Sequence, residues 1–375
     1  MTDGGKTGSV PDEKERLAWL VLSRIPHIGG LRCRRLVERF GSARAAIGEV
    51  EAWADVIGRA AARKARIRPE DWEWAESQCR ELRSAGGRLF TLADPQYPAL
   101  LREIACPPPV LYQFGDLSLD LPSVAIVGPR RATPYGRKVA EKMGRELAEA
   151  GFCVVSGMAA GIDGAAHEGA LQAEGATVAV LGCGADVVYP STHERLYRRI
   201  RGRGAVISEF PLGTEPAAGS FPRRNRLISG LSLGVVVVEA PERSGSLITA
   251  AYAVEQNREV FAVPGSVLDG RNRGCHRLIR EGAWLAESTE DLLTELAQWR
   301  PDRPVSSVIG SRRRGKEPEG DGKKLLACLG DAPRPIDELA EESGMKPADL
   351  LGLLLEMELE GWVSQLPGKR FVRIT

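Results

Sequence analysis

Three regimes of hydrophobic and polar spacing divide the chain. From Glu13 onward, Leu17, Leu20, Val21 and Ile25 recur at helical intervals, and helical patterns continue to about Ala85-Gly86-Gly87. Within them, IPHIGGLRCRRLVERFGS sets Ile25 and Ile28 about a Gly29-Gly30 turn before Leu31, Leu36 and Phe40. Two readings of this hairpin stand side by side. In a helix-hairpin-helix the glycine turn offers backbone N–H groups to a phosphate; in a helical bundle it only packs. Trp53, Trp72 and Trp74 suit a bundle core better than a stacking platform. The stretch GRLFTLADPQYPALLREIACPPPVLYQFGDL then predicts a strand, a proline-punctuated turn and a second strand.

The middle of the chain changes period. SVAIVG (Ser123–Gly128), FCVVSG (Phe152–Gly157), ATVAVLG (Ala176–Gly182), AVISE (Ala205–Glu209), GVVVVEA (Gly234–Ala240) and EVFAVP (Glu259–Pro264) are short, apolar throughout and rich in β-branched residues. Helical patterns separate them: Pro134 to about Ala150 behind the Thr133-Pro134 start signal, GIDGAAHEGALQAEG, a stretch from about Ser191, and Ser246 to about Asn257. Such alternation predicts a parallel sheet covered on both faces, with ligands at the carboxyl ends of the strands. Gly128–Arg130, Ser156–Asp163 and Glu209–Pro211 should then line one rim.

Beyond this region, PDRPVSSVIGSRRRGKEPEGDG has linker composition. Three short helical patterns and the alternating WVSQLPGKRFVRIT close the chain as a winged-helix domain. The expected organisation is a helical domain over 1–85 with its first ten residues disordered, an α/β core over 86–300, a linker over 301–322, and a winged helix over 323–375.

Composition narrows the function without naming it. Lys and Arg number 51 against 50 Asp and Glu, so any polyanion site must be a local concentration of charge. Seven scattered cysteines without a CxxC pair read as reduced thiols of a cytoplasmic protein, and the four histidines lack zinc spacing. No apolar run reaches membrane length and the polar N-terminus lacks a signal-peptide core.

The local concentration of charge is SFPRRNRLISGLS, Ser220–Ser232. Arg223, Arg224 and Arg226 alternate with Asn225 behind Phe221; guanidinium forks suit phosphates, and an exposed ring suits a base. Gly128-Pro129-Arg130 and the Ser156-Gly157 turn are glycine-bearing strand ends of the kind that accept phosphate, though glycines there are often only geometric. Asp163 and His167 lie four apart on one helix; the favoured reading has Asp163 capping N–H groups and holding His167. Gly182-x-Gly184 lacks the third glycine of a dinucleotide fingerprint, since Val187 stands there. The sequence shows neither a nucleophile–base–orienter set, nor a metal-spaced carboxylate cluster, nor a Walker lysine. It offers binding chemistry.

These motifs, taken in order, resemble the DNA-processing protein A (DprA, also called Smf) family. The resemblance rests on AIVGPR, SGMAAGIDGAAHEGAL, SEFPLGTEP, FPRRNRLISGLS, ERSGSLITAAYAVEQNREVFAVPG and GCHRLIREGA, and covers about Arg88 to Leu293. It implies an extended Rossmann-like core, flanked by the two smaller domains, that binds single-stranded DNA without catalysis or cofactor. It implies a homodimer that loads the RecA recombinase on incoming DNA in natural transformation. Carried over by position, Gly128 and Arg130 match the family's strand-end turn, Ser156 and Gly157 its anion loop, and Phe221, Arg223, Arg224, Asn225 and Arg226 its DNA-facing loop. Arg130, Arg223 and Arg226 are expected to neutralise phosphates, N–H groups near Gly157 to hold one more, and Phe221 to stack on a base. Arg224 either joins them or turns inward to Glu209 or Glu239. The presumptive recognition helix carries Asp349, Glu356, Glu358 and Glu360 against Lys346, which predicts a protein-contact role with only the wing basic at Lys369, Arg370 and Arg373. The competing reading is a Rossmann-like nucleotide phosphoribohydrolase using the Gly/Ser turn at Arg243–Ser246 with Glu255.

Overall fold

Short apolar runs joined by amphipathic helices have one economical packing: strands side by side, each crossover helix laid on a face. The computed structural model describes residues 11–268, 270–299, 320–329, 334–359, 362–366 and 370–373. The disorder expected over residues 1–10 and, of the linker expected over 301–322, residues 301–319, with Glu360 and Lys369, lie outside the described residues. The chain divides into two compact units, Met1–Pro301 and Asp302–Thr375.

The first unit opens with six helices, α1 (Glu13–Arg24), α2 (Gly30–Phe40), α3 (Ala43–Gly48), α4 (Trp53–Ile57), α5 (Arg59–Ala62) and α6 (Pro69–Ser84). Asp12 caps α1 by accepting from the Glu15 N–H at 2.7 Å. Trp53 is fully buried and its indole N–H donates to the Ala46 carbonyl, whereas Trp72 and Trp74 are half-buried. Gly30 begins α2 hard against the core: a Cβ there would lie 3.2 Å from the Pro107 carbonyl carbon. The second glycine of the hairpin therefore serves packing, and Gly29 stands in open space.

Next come β1 (Gly87–Thr91), α7 (Ala99–Glu103) and β2 (Val110–Phe114), an antiparallel pair. The sheet proper follows as β3 (Ser123–Val127), α8 (Pro134–Glu149), β4 (Cys153–Ser156), α9 (Ile162–Gln172), β5 (Thr177–Val180), α10 (Glu194–Arg203) and β6 (Ala205–Ser208). Then the chain returns to the middle with α11 (Ser220–Gly230), β7 (Gly234–Val237), α12 (Gly245–Glu255), β8 (Glu259–Ala262), α13 (Arg273–Arg280), β9 (Trp284–Leu285) and α14 (Thr289–Glu295). Among the described residues nine strands form one sheet in the order β1-β2-β6-β5-β4-β3-β7-β8-β9. From β6 to β9 every pairing is parallel; β2 joins β6 antiparallel and extends the sheet.

Strand alternation builds two cores. Val124 and Ile126 face α8, α9 and α14, while Ala125 and Val127 face α11, α12 and a core shared with the N-terminal helices. The helices α8 and α9 approach backbone to backbone, since a Cβ on Gly169 would lie 2.8 Å from the Glu141 carbonyl carbon. None of the described helices is long and apolar enough to cross a membrane. All seven cysteines are free, and burial pushes the Cys153 thiol up to about 12.

The second unit carries α15 (Asp321–Cys328), β10 (Arg334–Pro335), α16 (Ile336–Ser343), α17 (Pro347–Leu359), β11 (Val363–Leu366) and β12 (Arg370–Arg373). The central strand β12 pairs antiparallel with both others. Leu325, Leu339, Leu350, Leu354, Val363 and Phe371 form its core. This is the expected winged helix, with its first helix starting at Asp321, two residues earlier than expected.

Candidate nucleic-acid interface

The stretch expected to form a DNA-facing loop is a helix. Pro222 lies in the first turn of α11, where it costs no intrahelical bond, and the next two turns carry Leu227 and Ile228 into the core. Helical geometry then deals the side chains to different places, because residues three and four apart share a face. Phe221, Arg224, Asn225 and Ile228 line one cleft, and Arg223 and Arg226 line another cavity. The expected single basic surface is thus divided between two sites.

The first cleft, of about 370 Å³, lies where the sheet reverses its winding. The strand after β3 in sequence lies on one side of it and β7 lies on the other, so the crossovers leave in opposite directions. Its walls come from Gly128 to Arg130 after β3, from α11, and from Arg243 to Ser246 at the start of α12. Arg130 is exposed, and its guanidinium carbon stands 4.5 Å from the Phe221 ring centre and 5.9 Å from that of Tyr189. Phe221 and Tyr189 are themselves 5.5 Å apart with planes at 36°. Arg243, exposed, also lines the cleft, beside the positive end of α12, where Ser244 caps the Ser246 N–H. Asn225 reaches across, donating to the Gly245 carbonyl at 3.4 Å. Two separated cations, a half-buried aromatic pair and a helix N-terminus can hold a phosphate with a neighbouring planar ring. Tyr189 and Arg243 were not among the residues singled out from sequence. Arg243 was findable from its place before the Gly/Ser turn; Tyr189 carries no local signal.

Four of the expected contacts are spent inside the protein. Ser156 is fully buried and its hydroxyl donates to the Ile126 carbonyl at 2.6 Å. The Gly157 N–H donates to Asp163 Oδ2 at 3.1 Å, so the carboxylate occupies the place expected for a phosphate. Burial pushes the Asp163 carboxyl up, while the Arg224 charge and the Ala159 and Gly157 N–H groups pull it down. Arg224 is turned inward, but to neither Glu209 nor Glu239. It donates to the Gly157 and Val180 carbonyls, the first at 2.8 Å, and burial lowers its pKa. Arg226 is 11% exposed and, with Arg223, shares Glu209 Oε2 at 2.6 and 3.0 Å. Glu239 meanwhile binds the Thr133 N–H and hydroxyl at the start of α8. Gly128 is required by packing, because a Cβ would lie 2.8 Å from the Ile162 Cβ.

Asp163 caps as expected but does not hold His167, whose Nδ1 lies 2.7 Å from Thr177 Oγ1. That hydroxyl donates to the Val154 carbonyl, so the histidine nitrogen is the donor. Among the described residues no group of three metal-ligating side chains gathers.

The model of the DNA recombination-mediator protein A family matches residues 88–297. The chain belongs to this family. Models of the DprA-like N-terminal HHH domain and the DprA winged helix domain match residues 13–78 and 311–369. Protein Smf from Synechocystis is 36% identical over 96% of this chain and 99% of its own length. The X-ray structure of DNA processing protein A from Streptococcus pneumoniae superposes with a TM-score of 0.63 at 37% identity, covering 76% of this chain and 99% of that one. A structure of DNA processing protein A from Helicobacter pylori, described for its single-stranded DNA binding mode, gives 0.51 at 32% identity, covering 56% and 96%.

Proposed function

We propose that this protein binds single-stranded DNA without sequence preference, with the strand lying across the cleft between Arg130 and Arg243. The observation that carries this reading is Arg130, exposed and held over the Phe221–Tyr189 pair at the switch point of the sheet. Arg130 and Arg243 would neutralise phosphates, the start of α12 would accept one between them, and Phe221 would stack on a base. The Helicobacter relative, whose structure is described for its single-stranded DNA binding mode, supports it. Fluorescence anisotropy with labelled oligo-dT across a salt series tests it. Wild type should bind with log K falling at a slope of roughly −3 if about four phosphates are neutralised, and Arg130→Ala should weaken binding and flatten the slope. Wild type that ignores oligo-dT at low salt would end this reading.

The family's description as a recombination mediator supports a further step, loading of RecA on incoming DNA during transformation. RecA filament assembly on DNA covered by single-strand-binding protein should be faster with this protein than without it; no acceleration counts against it. Pairing of two copies is supported by the edge strand β9, where Trp284 and Leu285 are both 45% exposed. Sedimentation velocity should show a dimer in wild type and a monomer in Leu285→Arg; a wild-type monomer at micromolar concentration refutes pairing. For the winged helix the acidic sequence of α17 favours protein contact. Removing residues 302–375 should leave oligo-dT affinity unchanged, and a large loss would assign that domain to DNA.

Geometry disfavours the phosphoribohydrolase alternative. The Gly/Ser turn begins α12 and Glu255 ends it, and ten residues of helix span about 15 Å. A catalytic carboxylate that far from its phosphate turn cannot serve one small substrate. Release of free base from nucleoside monophosphates would restore the alternative.

A further inference from the structure

Past Arg130 the chain supplies further cations before and within the start of α8. Arg131, Arg137 and Lys138 are all exposed, and Tyr135 stands among them in sequence, 58% exposed. Among the described residues no hydrogen bond or ion pair engages these three charged groups or the Tyr135 hydroxyl. Later turns of the same helix are different. Lys142 lies 3.8 Å from Glu146, and Arg145 lies 3.8 Å from Glu149, the four-residue pairing that matches charge along an exposed helix face. Glu141, four residues beyond Arg137, accepts instead from the Gln172 amide.

Helix stability does not account for this clustering. The first turn of α8 has no acidic residue, and positive charge near that end opposes the helix macrodipole. Backbone donors there are already engaged: the Gly136 N–H donates to Thr133 Oγ1 at 2.9 Å, and the Thr133 N–H to Glu239 Oε2 at 3.0 Å. What the start of α8 leaves open to a polyanion is its side chains. The Glu239 contact also fixes their place. Glu239 stands just past the end of β7, and Pro241 and Arg243 beyond it line the switch-point cleft, as Arg130 does. Because α8 packs on the face of the sheet opposite α11 and α12, the cations carry the basic surface of the cleft over the rim onto that second face.

Unpaired cations around an exposed aromatic ring match the chemistry of a single strand, whose phosphates take the charges and whose unstacked bases take the ring. A duplex keeps its base faces inside the stack. We propose that the strand bound in the switch-point cleft continues over the rim to the start of α8, where Arg131, Arg137 and Lys138 hold its phosphates and Tyr135 stacks on a base. This path rests on the single-strand reading above and extends it beyond the cleft.

Anisotropy on the full chain tests the path with two labelled oligo-dT strands, one of about six nucleotides that fills the cleft and one of about fifteen that reaches α8. The variants are the triple change Arg131→Ala, Arg137→Ala, Lys138→Ala and the single change Tyr135→Ala. Their melting temperatures should not fall, since none of these side chains holds a partner. In wild type the longer strand should show a salt slope steeper by roughly 2, from three cations at about 0.7 each. The triple variant should bind the longer strand with the slope of the shorter one, and should bind the shorter one as wild type does. Tyr135→Ala should weaken only the longer strand, by about five- to a hundredfold, with its slope kept. Wild-type affinity and slope of the triple variant on the longer strand overturn the proposal; the cleft reading is judged separately, by Arg130→Ala on the shorter strand. If the triple variant binds both strands normally but slows RecA filament assembly, the surface belongs to a protein partner and the path is refuted. Wild type that binds neither strand at low salt ends both readings.

Discussion

Gly157 and Arg224 are fitted to one another: the guanidinium donates to the Gly157 carbonyl at 2.8 Å, and a Cβ on residue 157 would lie 2.6 Å from its Cζ. The glycine is there so that a buried arginine can cross the end of β4. Gly157→Ala should therefore lower stability by about 2 kcal/mol through overpacking. Arg224→Ala should cost about 3 kcal/mol or more, since it strands the Gly157 and Val180 carbonyls and leaves Asp163 without its nearby cation. Urea unfolding measures both. At temperatures where Arg224→Ala is folded, the salt dependence of oligo-dT binding should match wild type; a flatter slope would mean that Arg224 touches phosphate after all.

Glu209 places Arg226 under a similar obligation. Its side chain is 2% exposed and both Arg223 and Arg226 donate to Oε2. Changing both arginines to alanine leaves a buried carboxylate unpaired, with an expected loss of about 3–5 kcal/mol. Lost DNA binding in that double variant would then report unfolding, so chemical denaturation has to accompany any affinity measurement. A double variant as stable as wild type would show that Glu209 relaxes to solvent.

Phe221 should separate affinity from stability. Its ring is half-buried, under Arg130 and beside Tyr189. Phe221→Leu retains apolar contact with the Gly182 backbone but removes the face on which a base can stack. The expected cost is about 1–3 kcal/mol in oligo-dT affinity, read by anisotropy, with an unchanged salt slope because no phosphate contact is lost. Arg243→Ala should show the opposite signature, a flatter slope. Swapped signatures would reverse the proposed roles.

His167 makes stability sensitive to acid. Burial, with the positive charges of His193 and Arg224, lowers its pKa from 6.5 to about 3. As pH falls, the unfolded chain takes up this proton first, so the neutral ring's contribution is complete above pH 6.5 and drains away between 6.5 and about 3. His167→Asn keeps a donor toward Thr177 and does not titrate. Its unfolding free energy should fall less steeply than that of wild type over this window. Parallel curves would mean that His167 is not the titrating group.

The amino-acid sequence alone determined the strands β1 to β8 and most of the helices between them, in their order. Strand and helix periods, the Thr133-Pro134 start and the glycine-ended strands are local signals, and alternation of strand with helix leaves few packings other than a doubly covered parallel sheet. Within Ser220–Ser232 even the helix was legible, from Leu227 and Ile228 behind a first-turn proline, but the arginines drew the reading toward a loop. Which arginines meet solvent was beyond the sequence. The reentry of β7 beside β3 brings Glu239 to Thr133 across 106 positions, and the end of β6 delivers Glu209 to Arg223 and Arg226. Glu239 and Glu209, from distant segments, take up the Thr133 start of α8 and two of the arginines, while Asp163, six residues on, fills the anion position of its own Gly157 turn. Only the tertiary structure could decide this, because the desolvation and pairing of a charge depend on what the fold places beside it.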